Sequence, residues 1–67
     1  MKWRQVDQYH AESDAGYRVC RVYFFGQWIY EAWTPGGIET ARCIYRGRDR
    51  SSAQARHKAE LHFREAA

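Results

Sequence analysis

The chain has 67 residues, a formal net charge of +3 and 45% hydrophobic residues, near the lower limit for folding without disulfides, metal or self-association. That length allows one domain, residues 1–67, with a small core, and leaves little room for the second lobe that most catalytic clefts need. No apolar run approaches the length of a membrane span, so no membrane partner is expected.

Trp3 to Tyr9 alternates loosely and reads as a first strand with Val6 facing inward. Ala11-Glu-Ser-Asp-Ala-Gly16 is small and polar, the composition of a turn. Seven of the eleven aromatic residues then fall between Tyr17 and Trp33. Tyr17–Phe25 and Trp28–Trp33 are rich in β-branched and aromatic residues, and Gly26-Gln27 between them reverses the chain, so a β-hairpin is expected. A three-residue loop with Gly26 left-handed would put Cys20, Val22, Trp28, Tyr30 and Ala32 on one face, small enough for a helix to approach. Tyr17, Val19, Arg21, Tyr23, Ile29, Glu31 and Trp33 would then occupy the other. A two-residue loop would re-pair the faces, because a slip of one residue inverts side-chain direction.

Thr34-Pro-Gly-Gly37 breaks the strand pattern. Ala41–Tyr45 is expected as a third or fourth strand, and Arg46–Arg50 as a charged exit loop. Ser51 followed by Gln54 fits a capping box, and the run to Ala67 has no glycine or proline. Ala55, Ala59, His62, Phe63 and Ala66 share one helical face, with Phe63 as its main anchor, while Arg56, Glu60 and Arg64 at four-residue spacing suit solvated ion pairs. The expected fold is α+β, a three- or four-stranded antiparallel sheet with one C-terminal helix packed on one face.

The residues that could carry chemistry are sparse. Cys20 and Cys43 could form at most one bridge, and Met1-Lys-Trp-Arg runs straight into patterned sequence with nothing like a secretory signal. Reduced thiols acting as small buried hydrophobes, in a cytoplasmic setting, are therefore expected. His57 and His62 are five apart, about 140° around a helix, and no close Cys or His pair offers zinc spacing. No metal, cofactor or catalytic group is expected, and a thiol–imidazole pair would need a cleft that this length hardly provides.

Two binding surfaces remain. The ring-rich hairpin carries more apolar area than one alanine-lined helix can cover, so Tyr17, Arg21, Tyr23, Ile29 and Trp33 are the candidate protein-binding residues. Residues 42–67 hold seven basic side chains against three acidic ones, whereas residues 1–41 hold four against five. The alternative is therefore a nucleic-acid site of Arg46, Arg48, Arg50, Arg56 and Lys58 tracking a phosphate backbone. A solvated face that keeps an aromatic-rich protein soluble explains the same charges.

Trp3, Tyr9-His10, Gly16-Tyr17-Arg-Val19, Gly26-x-Trp28-x-Tyr30-x-Ala32-Trp33, the Ser51/Ser52 cap and Ala55-x3-Ala59-x2-His62 together resemble a group of very small proteins encoded by bacteriophages and prophages. Pro35-Gly-Gly37 and the Arg46–Arg50 loop lie outside that pattern. The resemblance implies no catalytic residues and no cofactor. It implies an accessory protein in the cytoplasm of a bacterial host, binding a host protein or complex as inhibitors of host defence such as anti-CRISPR proteins do. Its positive charge argues against acidic mimicry of nucleic acid. A homodimer would cover the open face of the sheet in another way.

Overall fold

A computed structural model describes residues 1–66. Five strands form one antiparallel sheet in sequence order: β1 (Trp3–Asp7), β2 (His10–Ser13), β3 (Arg18–Phe24), β4 (Gln27–Trp33) and β5 (Cys43–Gly47), followed by helix α1 (Ala53–Ala66). The fold is α+β, with five strands where the sequence suggests three or four. The additional strand is β2, which lies in the segment that reads as a turn. His10-Ala-Glu-Ser13 contains no β-branched residue, yet its burial alternates, with Ala11 and Ser13 buried. Pairing on both sides, with β1 and β3, makes it a strand despite its composition.

The β3–β4 hairpin closes through two residues, Phe25 and Gly26, with φ of +49° and +78°. Both are left-handed, as a type I′ turn requires, and the twist of that turn matches the strands. Phe24 pairs with Gln27, Tyr23 with Trp28, Arg21 with Tyr30 and Val19 with Ala32. The three-residue loop is thus overturned, and the faces are exchanged along all of β3. Val19 and Ala32 lie under the helix, whereas Cys20, Val22, Ile29, Glu31 and Trp33 occupy the second face.

This register is the one that lets the helix come close. Ala32, Ala55 and Ala59 have no exposed surface, and Tyr17 and Val19 complete the buried cluster. Small side chains at the crossing bring backbone to backbone distance, and the larger Trp3, Tyr30, Ile44 and Tyr45 pack around the rim. Two polar contacts fix the helix laterally. Trp3 Nε1 donates to Glu60 Oε2 at 2.9 Å, and the Tyr17 hydroxyl pairs with His62 Nδ1 at 2.7 Å. Glu60 is therefore held by Trp3, and no ion pair joins it to Arg56 or Arg64 among the described residues. Phe63 packs edge-on against Tyr17 but stays exposed over more than a third of its surface, so it anchors less than its position on the stripe suggests. Val6, on the edge strand, is exposed rather than inward-facing. The Ser51 hydroxyl accepts from the Ala53 amide at 3.3 Å, close to the expected cap. Ala67 lies outside the described residues.

Gly47 ends β5 under the Tyr45 phenol, whose hydroxyl donates to Asp49 Oδ2 at 2.7 Å. A Cβ at this position would overlap the phenol and approach Asp49 Oδ2 at 3.0 Å. Gly47→Ala must displace that ring and stretch its hydrogen bond. We expect a loss of about 1–2 kcal/mol, seen as a fall in Tm of roughly 5–15 °C in thermal denaturation; an unchanged Tm would show that the ring swings away freely.

Candidate functional site

The largest concentration of exposed apolar surface lies at the turn end of the β3–β4 hairpin. Antiparallel pairing brings the β1–β2 turn to the same end, since the Arg21 amide donates to the Tyr9 carbonyl at 2.8 Å. Asp7 Oδ1 caps that turn by accepting from the Tyr9 amide at 2.8 Å. Tyr9 consequently lies nearly parallel to Trp28, with ring centroids 5.7 Å apart and planes 8° apart. Tyr23 tilts against Trp28 from across the hairpin at 5.2 Å, and the Arg21 guanidinium carbon is 4.4 Å from the Trp28 ring centre. Offset stacking and cation–π contact each add to the burial that orders these groups. Trp28 is the hub of the cluster, and its neighbours stay accessible.

Beyond them, Phe24 and Phe25 meet edge to face at 4.4 Å. Phe25 is 89% exposed while its backbone is left-handed. A bulky residue pays about 1–2 kcal/mol for that conformation, and Asn or Gly is the residue a type I′ turn favours there. A large apolar side chain is thus fixed in a strained position where it packs against Phe24 yet stays almost fully exposed.

The sequence-derived protein-binding set divides between the two faces. Arg21 and Tyr23 belong to the aromatic cluster. Tyr17 is only 3% exposed, covered by His62 and Phe63, and cannot meet a partner. Ile29 is buried on the second face, and Trp33 lies half-buried there with its Nε1 donating to Glu31 Oε1 at 3.2 Å. The expected common face of Tyr17, Arg21, Tyr23, Ile29 and Trp33 does not exist, because the two-residue turn puts β3 and β4 residues of opposite parity together. Tyr9, Phe24, Phe25 and Trp28 are the members that sequence reasoning missed. The Phe25-Gly26 pair carried a usable signal: only two residues separate two strong β patterns, and one of them is a phenylalanine.

The basic set divides as well. Arg46 lies on the second face, where its Nε donates to Glu31 Oε2 at 2.7 Å. Arg48 and Arg50 are exposed in the segment leaving β5. Arg56 and Lys58 ride on α1 over the other side of the sheet, Arg56 half-buried and Lys58 exposed. Cys20 is half-buried and Cys43 exposed, both as free thiols, so only Cys20 fits the expectation of a buried hydrophobe. Burial, with help from Glu31, pushes the Cys20 thiol above its usual pKa. Among the described residues no three His, Cys, Asp or Glu side chains converge as metal ligands, and no helix is long and apolar enough to cross a membrane.

Comparison with protein-family models, curated proteins and solved structures finds no match to this chain.

Two outcomes follow for single residues. Phe25→Asn relieves the left-handed strain and is expected to raise stability by about 0.5–1 kcal/mol, a gain in Tm of roughly 3–6 °C; a lower Tm would mean that Phe25 is structural. With iodoacetamide at pH 8, Cys43 is expected to alkylate about tenfold faster than Cys20, because only a thiolate reacts and burial suppresses it at Cys20. Peptide mapping by mass spectrometry reads the order, and preferential labelling of Cys20 would contradict it.

Proposed function

We propose that this chain is a small non-enzymatic accessory protein that binds another protein through the aromatic end of its β3–β4 hairpin. The observation that carries the proposal is Phe25, exposed and held left-handed at the outermost point of the turn. A convex apolar knob stiffened by strand pairing loses little entropy on entering a pocket, and aromatic anchors of this kind dominate protein interfaces. Tyr23, Phe24 and Trp28 widen the knob, and Arg21 supplies a polar rim beside it. The resemblance to phage and prophage proteins supports a bacterial host protein or complex as the partner, bound in the cytoplasm, with inhibition of host defence as the outcome.

Nucleic-acid binding has weaker support. Its five basic residues lie on two sides of the sheet, and Arg46 already holds Glu31. Arg48 and Arg50 alone would neutralise too few phosphates for the steep salt dependence that such binding shows.

The intact protein, immobilised and exposed to nuclease-treated extract of a bacterial host, should retain a partner that Phe25→Asn fails to retain. For the purified partner, calorimetry should show at least about a thirtyfold loss of affinity for that variant, the size expected of an aromatic anchor. Equal affinity for the parent and for a folded Phe25→Asn protein would refute the hairpin end as the contact. Salt-sensitive binding of an oligonucleotide, with no protein captured, would favour the nucleic-acid alternative.

A further inference from the structure

The second face of the sheet carries a separate feature that the hairpin end does not use. The segment from Thr34 to Arg42 leaves β4, reverses and returns to β5 as a closed loop. Its ends are tied to each other: the Thr34 amide donates to the Arg42 carbonyl at 2.9 Å, and the Arg42 amide donates to Thr34 Oγ1 at 2.8 Å. Inside it, the Gly37 amide donates to Thr40 Oγ1 and the Ala41 amide to the Gly37 carbonyl, both at 2.9 Å. Gly36 has φ of +130°, and a side chain there would overlap Thr40, so the turn requires glycine at this position. Short loops bonded end to end in this way are preformed rather than mobile, and such loops frequently serve as binding walls.

Between this loop and the strands lies a hollow of about 310 Å³, lined by Arg18, Cys20, Trp33, Gly37, Ile38 and Ala41. The volume is at the lower end of the range for small-molecule sites. Its lining is apolar apart from Arg18. Ile38 is fully exposed at its rim, on a backbone segment closed by the Gly37–Thr40 and Gly37–Ala41 bonds. Arg18 is half-buried as a residue, but its guanidinium reaches the exposed edge of the hollow, where Nη2 donates one hydrogen bond to the Gly36 carbonyl at 3.0 Å. No carboxylate of the described residues lies within ion-pair distance of it. Glu12, its neighbour across β2, is drawn towards Arg4 and His10, and both oxygens of Glu31 are taken by Arg46 and Trp33. A cation with unused donors at the rim of the hollow, beside an indole and an open apolar wall, is complementary to an anion with an apolar body.

We propose that this hollow binds a small carboxylate carrying an aromatic or branched apolar group, the carboxylate meeting Arg18 and the apolar group lying between Trp33 and Ile38. The site is independent of the hairpin end, which faces another part of the surface, and neither proposal needs the other.

The test is a 1H–15N NMR titration of the intact protein with phenylacetate, its neutral counterpart phenylacetamide, and acetate. Phenylacetate should shift the Trp33 indole N–H and the amides of Gly37 to Ala41 saturably, with a Kd of about 1 mM, as expected of a ligand of this size. Phenylacetamide should bind at least about tenfold more weakly, and acetate should leave these signals in place at the same concentrations. Arg18→Gln should bring phenylacetate down to the affinity of the amide. Ile38→Ser, a change at a fully exposed position that leaves the fold intact, should weaken phenylacetate about threefold. Equal affinity for acid and amide, no saturable shift up to about 20 mM, or shifts confined to residues away from the hollow would each overturn the proposal.

Discussion

The contact on which the rest of the structure depends is the one between Ala32 of β4 and Ala55 and Ala59 of α1, all without exposed surface. A sheet and a helix meeting at alanine leave little volume for rings at the crossing, so of the aromatic side chains only Tyr17 is buried in the cluster and the others lie at its periphery or beyond. Trp3, Tyr30 and Tyr45 fill the rim, and Trp3 and the buried Tyr17 bind the helix through Glu60 and His62. Tyr9, Tyr23 and Trp28 are carried past the covered area. There they pack on one another, with the Arg21 guanidinium over Trp28. The exposed aromatic end thus follows from close packing elsewhere: an alanine-lined helix stabilises a small core at the cost of covering less of the sheet.

That contact requires Val19 to stand opposite Ala32, and the Phe25-Gly26 turn sets this register. The two features are therefore coupled. A longer loop would move Cys20 and Val22 under the helix and Val19 to the second face. Gly26 fits its left-handed position without strain, whereas Phe25 does not. In a domain of 67 residues, whose net stability amounts to a few kcal/mol, a strained turn is a sizeable fraction of the total. Local preference and exposure both argue against phenylalanine there, and local conflicts of this kind concentrate at positions with a role outside folding.

The elements whose own pattern determines them were legible: the hairpin, the break at Thr34–Gly37 and the helix, each marked by composition and by glycine or proline. β2 was not, because its four residues are strand-forming only through neighbours on both sides. The register was ambiguous for a physical reason. Rings and β-branched residues occur at both parities of β3, so neither face of the strand is polar enough to exclude the helix. Of the surface residues, Arg21 and Tyr23 were legible because they lie in the ring-rich strand. Tyr9 reaches Trp28 only through the sheet, a contact that no local pattern encodes. The charge pattern likewise marks Arg46 as free, since its partner Glu31 stands on a neighbouring strand.

Glu31 also explains why the two faces differ in character. Buried on the second face, it accepts from both Arg46 and Trp33, and a buried carboxylate without such partners would be strongly destabilising. The bond from Trp33 to Glu31 helps to orient the half-buried indole beside the loop, and the loop in turn takes Arg18 through the Gly36 carbonyl. The second face is therefore ordered by polar contacts between fixed side chains, while the hairpin end is ordered by stacked rings. Both leave apolar groups facing water on rigid supports, Ile38 in one case and Phe25 in the other. Rigid support removes most of the entropy that a ligand or partner would have to offset in ordering them, which is why exposure on these two supports carries more weight than the lesser exposure of Val6 on an edge strand.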